Sequence, residues 1–327
     1  MTLTRRQLLQ GLSFGAAAAA LPAVRAAAFL SRPVTLVVPF ATGGPTDAMA
    51  RILANELKPV LGQTVIVENK GGAGGNIGAE AVARADADGN TLLFGTSGPL
   101  AINQYLYARP GYDPMTSFAP IIQVGYLPNV LTVNAAKPWR DVRDLIAQAK
   151  AKPGTLTFAS SGNGASSHLA GVMFNRASGT DIAHVPYKGT GPALTDLLGG
   201  QVDMTFTDVL TAQPHVKGGR LRALGVTTPK RSAALPGVPT LAEQGLAGFD
   251  VSVFFGVVAP AGTPPETVAR LNAAFAEVLG RPAVRDGLAA QGVELSRDRA
   301  AAQLAAYMRT ESAKWKDVVK ASGAKAD

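Results

Sequence analysis

Short β-branched runs alternate with stretches of helical periodicity through almost the whole chain, and that alternation constrains the fold more than any other feature. Extended segments are expected at Val34–Val38, Thr64–Glu68, Thr91–Phe94, Asn129–Val133, Thr155–Phe158, Ala183–Pro186, Met204–Phe206, Ala223–Val226 and Gly256–Ala259. Between them, apolar residues recur at helical spacing over Ala48–Leu61, Asn76–Arg84, Val142–Ala149, Ser167–Ala177 and Pro192–Leu198. The tail reads as three helices: one from Pro264-Pro265 to Leu279, one from Pro282, and one from about Arg299 to Val319. Such alternation builds an α/β protein with largely parallel sheets. The length of 327 residues suits two units once a leader is removed. No low-complexity linker separates them, so crossing strands are expected to join them.

Ligands of such sheets sit where strands end and helices begin, and three loops fall there. The first lies in Val34-Thr-Leu-Val-Val-Pro-Phe-Ala-Thr-Gly-Gly-Pro-Thr-Asp47. It reads as a strand that breaks at Pro39 and passes through Gly43-Gly44 into a helix starting at Pro45, with Asp47 in the first turn. The amides of Thr42, Gly43 and Gly44 are then expected to be free, with the positive end of a helix dipole behind them. That chemistry holds an anion without a charged side chain.

The second loop, Gly71-Gly-Ala-Gly-Gly-Asn-Ile-Gly78, fails as a dinucleotide fingerprint because the third glycine position is Ile77. No Lys–Ser/Thr pair follows it, so it is not a phosphate-binding P-loop either. A tightly packed connection and a ligand contact both remain open, with Asn76 placed to cap the next helix and face a cleft. The third loop, Ala159-Ser-Ser-Gly-Asn-Gly-Ala-Ser-Ser-His168, repeats the strand-to-helix arrangement and adds hydroxyls.

Serines beside a histidine raise an alternative, a secreted serine hydrolase using Ser161 or Ser166 with His168. Against it, there is no Gly-x-Ser-x-Gly elbow, and His168 follows Ser166 too closely to act as an oriented base. His184 and His215 are isolated in sequence, and no metal-ligand spacing occurs, so neither a metal nor another cofactor is expected. Further on, Tyr187, Lys188, Thr207 and Asp208 fall where they can line a cleft, although a Lys188–Asp208 ion pair explains two of them equally well. Phe254-Phe255 reads as core or as cleft wall.

The chain has no cysteine, which removes disulfides and thiol catalysis. Its start, Thr4-Arg-Arg-Gln-Leu-Leu9, precedes a short apolar run to Leu21 and small residues near Ala26 and Ala28, the pattern of an export leader over residues 1–26. The paired arginines and Arg25 fit the twin-arginine route, with an ordinary secretory leader as the other reading. Arg5, Arg6 and Arg25 account for three of the net +8, leaving about +5 on the remainder. Those basic residues are scattered rather than striped, so no nucleic-acid partner is expected; Trp315 among the tail lysines reads as a packing anchor. No later run is long enough to span a bilayer, so no membrane insertion is expected and the mature protein is placed in the periplasm.

Seven segments resemble one family in order along the chain. They are Val37-Val-Pro-Phe-Ala-Thr-Gly-Gly-Pro-Thr-Asp47, Val67-Glu-Asn-Lys-Gly-Gly-Ala-Gly-Gly-Asn-Ile-Gly78, Asp88-Gly-Asn-Thr-Leu-Leu-Phe-Gly-Thr-Ser97, His184-Val-Pro-Tyr-Lys-Gly189, Gly200-Gln-Val-Asp-Met204, Leu235-Pro-Gly-Val-Pro-Thr240 and Ala259-Pro-Ala-Gly-Thr-Pro264. With them the chain is similar to the extracytoplasmic solute receptors of the tripartite tricarboxylate transporter family, often called Bug receptors. The resemblance implies a type II periplasmic-binding-protein fold, α/β, in which two lobes joined by crossing strands enclose a ligand cleft. One lobe would hold residues 27–128 and 252–327, the other 129–251. It further implies a monomeric receptor that takes a small carboxylate (an amino-acid, di- or tricarboxylic or aromatic acid) and delivers it to the membrane subunits of a transporter. Carried over to this sequence, the contacts would come from Phe40, Thr42, Gly43, Gly44, Asp47, Asn76, Thr96 and Ser97 in one lobe. The other lobe would supply Ser161, Gly162, Ser166, Tyr187 and Asp208. Phe254-Phe255 departs from the tryptophan and second aromatic common there, which would alter the distal end of the pocket.

Overall fold

A computed structural model describes Leu30 and residues 32–326; the leader expected over residues 1–26 lies outside the described residues. The chain begins with β1 (Val34–Val38), α1 (Pro45–Leu61), β2 (Val65–Asn69), α2 (Asn76–Ala83), β3 (Thr91–Thr96) and the short α3 (Asn103–Leu106). The long strand β4 (Phe118–Asn134) then leads to α4 (Val142–Ala151), β5 (Thr157–Ser160), α5 (Ser166–Ser178), β6 (Ala183–Pro186) and α6 (Thr190–Leu198). β7 (Met204–Asp208), α7 (Val209–Lys217) and β8 (Leu221–Val226) follow. The chain returns through β9 (Ser252–Pro260), α8 (Pro265–Gly280), α9 (Pro282–Ala290), β10 (Glu294–Leu295) and α10 (Ala301–Ser322).

The strands line up as β2-β1-β3-β9-β4-β7-β5-β6, with β8 and β10 pairing β4 off this path. β1 lies parallel between β2 and β3, and β5 lies parallel between β6 and β7. The two halves meet on β4. Its first part pairs antiparallel with β9 as far as Pro128↔Ser252, and from Asn129↔Asp208 onward it pairs with β7. Strand β4 thus passes from one half-sheet to the other between Pro128 and Asn129. The sheets are mixed rather than largely parallel, because both long strands at the junction run antiparallel to their neighbours.

The first eleven residues of β4 carry no extended reading in the sequence, and their prolines explain it. Pro lacks the N–H a central strand needs, yet here Pro120 sits at a register shift and Pro128 at the crossing point. Each falls where the ladder is already interrupted. Helix α7 likewise carries no helical reading in the sequence; Asp208 caps it directly at the end of β7 through Thr211 N–H and Thr211 Oγ1, at 2.8 and 2.7 Å.

Phe254 and Phe255 are core and not cleft wall, being 0% and 2% exposed. Phe255 stacks on Phe94 with ring centres 5.8 Å apart, and Phe254 meets Tyr307 edge-on at 5.1 Å. The pocket is therefore not shaped by this pair. Trp315 is fully buried in α10, its indole N–H donating to Glu311 at 2.9 Å.

One glycine tests how tightly α5 seats on its sheet. A Cβ on Gly171 would lie 2.2 Å from the Phe158 ring, which rests in turn against the His184 ring at 4.9 Å. Gly171→Ala is expected to destabilise the fold by roughly 1–3 kcal/mol, read as a several-degree drop in Tm. An unchanged Tm would show that this interface is loose.

Candidate functional site

Loop residues 40–44 hold a helix start without a side-chain cap: Gly44 is the N-cap of α1 and Pro45 its first residue. Fewer amides are free here than the sequence suggests. Asp47, 3% exposed, turns back and accepts the Gly43 N–H at 2.9 Å. Its carboxylate also takes Arg51 Nε at 3.1 Å, with Arg51 Nη2 3.0 Å from the other oxygen. Arg51 first, and the Gly43 amide second, hold this carboxyl below its ordinary range. Asp47 therefore fastens the loop to α1 and does not point outward as a ligand group. Among the described residues the amides of Thr42 and Gly44 make no hydrogen bond, and both residues are at least partly exposed.

The second glycine loop packs against the first. A Cβ on Gly71 would meet Ala41 N at 3.2 Å, and one on Gly78 would meet Pro39 Cα at 2.9 Å. Phe40 is half-buried there, its carbonyl accepting from Asn69 at 3.1 Å. Asn76 is not the cap of α2; Gly75 is. The Asn76 oxygen accepts from Asn103 Nδ2 at 2.7 Å and from Tyr112 OH at 3.0 Å, while its Nδ2 is buried with no partner. At the end of β3, Thr96 and Ser97 are 5% and 2% exposed. Ser97 Oγ accepts the Phe254 N–H at 2.8 Å, so this hydroxyl is committed to β9.

A partly open cavity of about 120 Å³ lies beside the crossing point. Leu127 and Asn129, two apart on β4 and so on one face of the strand, line it together with Val253 of β9. Its polar lining includes Ser161, Ser166 and Ser167, Thr190 in the first turn of α6, and Thr205, Thr207 and Asp208, with Ala193, Leu194 and Phe206 adding apolar wall. Neither α5 nor α6 has a side-chain cap, so both helices present unsatisfied N–H ends to this space. Two polar atoms in the wall are buried with no partner, Asn129 Nδ2 and Thr207 Oγ1. An orphaned buried donor costs about 1–3 kcal/mol, so these two atoms favour a polar group in the cavity. No Lys or Arg lines it.

The remaining expected contacts fall at different depths. Ser161 lines the cavity and shares a 3.1 Å contact with Ser167 Oγ. Gly162, at φ +141, donates its N–H to Ser160 Oγ at 3.2 Å. Tyr187 lies outside the cavity wall, where its hydroxyl donates to Asp196 at 2.6 Å; that bond pushes the phenol up to about 12. Asp208 is at the wall, held as the α7 cap, and it forms no ion pair with Lys188 among the described residues.

The hydrolase pairing is not assembled. His168 Nδ1 accepts from Gly164 N–H at 3.0 Å, which leaves the neutral ring's proton on Nε2, the nitrogen a triad base needs free. The serine that does meet a histidine is Ser160, 2.6 Å from His184 Nε2, and it is fully buried. His184 is not isolated in space: its ring stacks on His168 at 3.8 Å. Among the described residues no group of three or more His, Asp or Glu is arranged to hold a metal ion.

Sequence reasoning missed Asn129, Ser167 and Thr190. The signal for Asn129 was a polar residue opening an otherwise apolar run directly after Pro128.

Residues 49–324 match the model of the tripartite tricarboxylate transporter family receptor. The chain belongs to this family. Protein BugT of Bordetella pertussis is 40% identical over 99% of both chains. Among solved structures, Rpa4515 of R. palustris, determined with adipate, is 39% identical with a TM-score of 0.78, covering 90% of this chain and 98% of that one. MatC from Rhodopseudomonas palustris, determined with bound malate, is 37% identical with a TM-score of 0.75, covering 89% of this chain and all of that one. The fold is thus the two-lobed periplasmic-binding-protein type. Among the described residues of this family member, no helix is long and apolar enough to cross a membrane.

Proposed function

We propose that this chain is a periplasmic receptor that binds a small carboxylate between lobe I, residues 27–128 with 252–327, and lobe II, residues 129–251. The ligand is then handed, chemically unchanged, to the membrane subunits of a tripartite transporter. The observation that carries the reading is the cavity at the strand crossing, where two uncapped helix ends and two orphaned buried polar atoms converge. Helix N-termini with hydroxyl and amide donors hold carboxylates without a basic side chain, which is what a wall lacking Lys and Arg requires. The volume of about 120 Å³ is well below the roughly 300 Å³ at which ordinary ligand pockets begin. It therefore takes one end of a small acid, and the other end faces the amides of Thr42 and Gly44. The dicarboxylates in the structures of Rpa4515 and MatC support a ligand with a polar group at each end. The leader expected over residues 1–26, through the twin-arginine route, supports the periplasmic location, and a monomer suffices for the cleft.

A thermal-shift screen of carboxylates that includes malate and adipate tests the reading. At least one acid is expected to raise Tm and to be recovered intact. Stabilisation by none would remove the receptor reading, and conversion of the bound acid would favour an enzyme.

A further inference from the structure

Neither His168 nor His184 lines the 120 Å³ cavity, yet both are tied to the loop that does. His168 sits in the first turn of α5, at 5% exposure, and its Nδ1 accepts the N–H of Gly164. His184 lies on β6 and holds Ser160 Oγ at 2.6 Å; that oxygen in turn accepts the Gly162 N–H. The two rings lie face to face, 3.8 Å apart and within 8° of parallel, with Phe158 against His184. Between the anchored residues Ser160 and Gly164 runs the turn that presents Ser161 to the cavity, and Ser166 and Ser167 follow at once.

We propose that His168 and His184 act as a pair of positioning residues, a neutral stacked clamp that holds the 160–167 loop of lobe II in its ligand-binding shape. The inference rests on the receptor reading for what the loop binds, but not for the clamp itself. Its chemistry is specific. His168 Nδ1 must be unprotonated to accept from Gly164, because a proton there would set donor against donor. A second cation in a ring 3.8 Å away adds like-charge repulsion. His184 can take a proton first, since Nε2–H can donate to Ser160 Oγ. Protonation of His168 therefore breaks the Gly164 anchor.

Behind the stack lies a second cavity of about 630 Å³, between lobe II and the end of α10. The charged groups facing the rings across it are Arg176 and Asp181 of lobe II and Lys325 of the C-terminal segment. Two cations against one carboxylate do not favour an imidazolium. Burial first, and the His184 ring second, push His168 down to about 4; burial also lowers His184. The folded state prefers neutral rings while the unfolded chain protonates near 6.5. Clamp stability is thus complete above about pH 6.5 and is lost as the pH falls from there toward 4.

The test measures the affinity of malate and adipate from pH 4 to 8 for the wild type, His168→Asn and His168→Leu. Asparagine places an acceptor near the Nδ1 position but does not titrate. The wild type should weaken at least tenfold between pH 6.5 and 4 beyond any loss seen in His168→Asn, whose profile reports the titration of the ligand and of every protein group except His168. His168→Leu should bind worse than His168→Asn at every pH, because the Gly164 N–H loses its acceptor. Superimposed wild-type and His168→Asn profiles would overturn the clamp. A second arm needs no ligand: ring and amide NMR of the unliganded wild type should show the Gly162 and Gly164 amides shifting in step with His168 protonation, and their indifference to it would equally overturn the proposal. If neither acid binds at pH 7.5, the receptor reading suffers for these probes, and the NMR arm still decides the clamp.

Discussion

Gly44→Val is expected to abolish carboxylate binding while leaving the protein folded. Gly44 has φ −81 and ψ 170, an extended conformation open to any residue. A Cβ there would meet only Ala41 O at 3.8 Å, an ordinary contact. The valine forfeits a favourable helix N-cap, costing up to about 1 kcal/mol of stability. Its two methyl groups, however, would stand over the end of α1, where the proposed site places the ligand's near carboxylate on the Thr42 and Gly44 amides. We expect at least a hundredfold rise in Kd, equivalent to about 2.8 kcal/mol. Calorimetry would record it, with circular dichroism reporting the intact fold. An unaltered Kd would place the carboxylate elsewhere. The neighbouring Gly43 would not make a clean test, because its φ of +88 strains any side chain.

The expected elements that hold are those with an uninterrupted local pattern. β1 and β6 fall as read from the sequence, and α1 begins at Pro45 after an uncapped glycine. What the residues alone did not show was pairing across distance. The carboxylate of Asp47 and the amide of Gly43 are four residues apart, and a side chain in a first helical turn can face outward or curl back. Its burial, and the bond to Arg51 that settles its direction, belong to the folded loop. The stack of His168 on His184 is set by the register of β5 on β6, where Phe158 pairs with His184. No periodicity in either segment announces it. Strand β4 was half hidden because its prolines argue locally against a strand, and only the topology shows that they sit at a register shift and a crossing. The same prolines hid Asn129, the residue at which β4 leaves β9 and takes β7 as its partner.

Thr207→Val and Asn129→Leu should separate affinity from stability, and in opposite directions. Both wild-type side chains are nearly inaccessible, at 5% and 2% exposure, and each keeps a polar atom that no other protein group satisfies. Valine matches threonine in shape and removes the orphaned hydroxyl. Replacing an unsatisfied buried polar group with an apolar one of the same shape is neutral or stabilising, so Thr207→Val should hold or raise the unliganded Tm. Asn129→Leu should behave similarly, because the Asn129 backbone, not its amide, carries the bonds to Thr227 at 3.2 and 2.9 Å. With ligand present the sign reverses. Each variant loses one hydrogen bond to a charged or strongly polar group, worth about 1.5–3 kcal/mol, so Kd should rise by at least tenfold for each. The two atoms share one cavity and would share one ligand group, so their effects should not simply add in the double variant. Lower unliganded stability with unchanged affinity would mean that these atoms are satisfied inside the protein and that the cavity is only a packing defect. Higher stability with weaker binding would show that the fold carries two unmet hydrogen bonds at the strand crossing in order to hold the far end of its ligand.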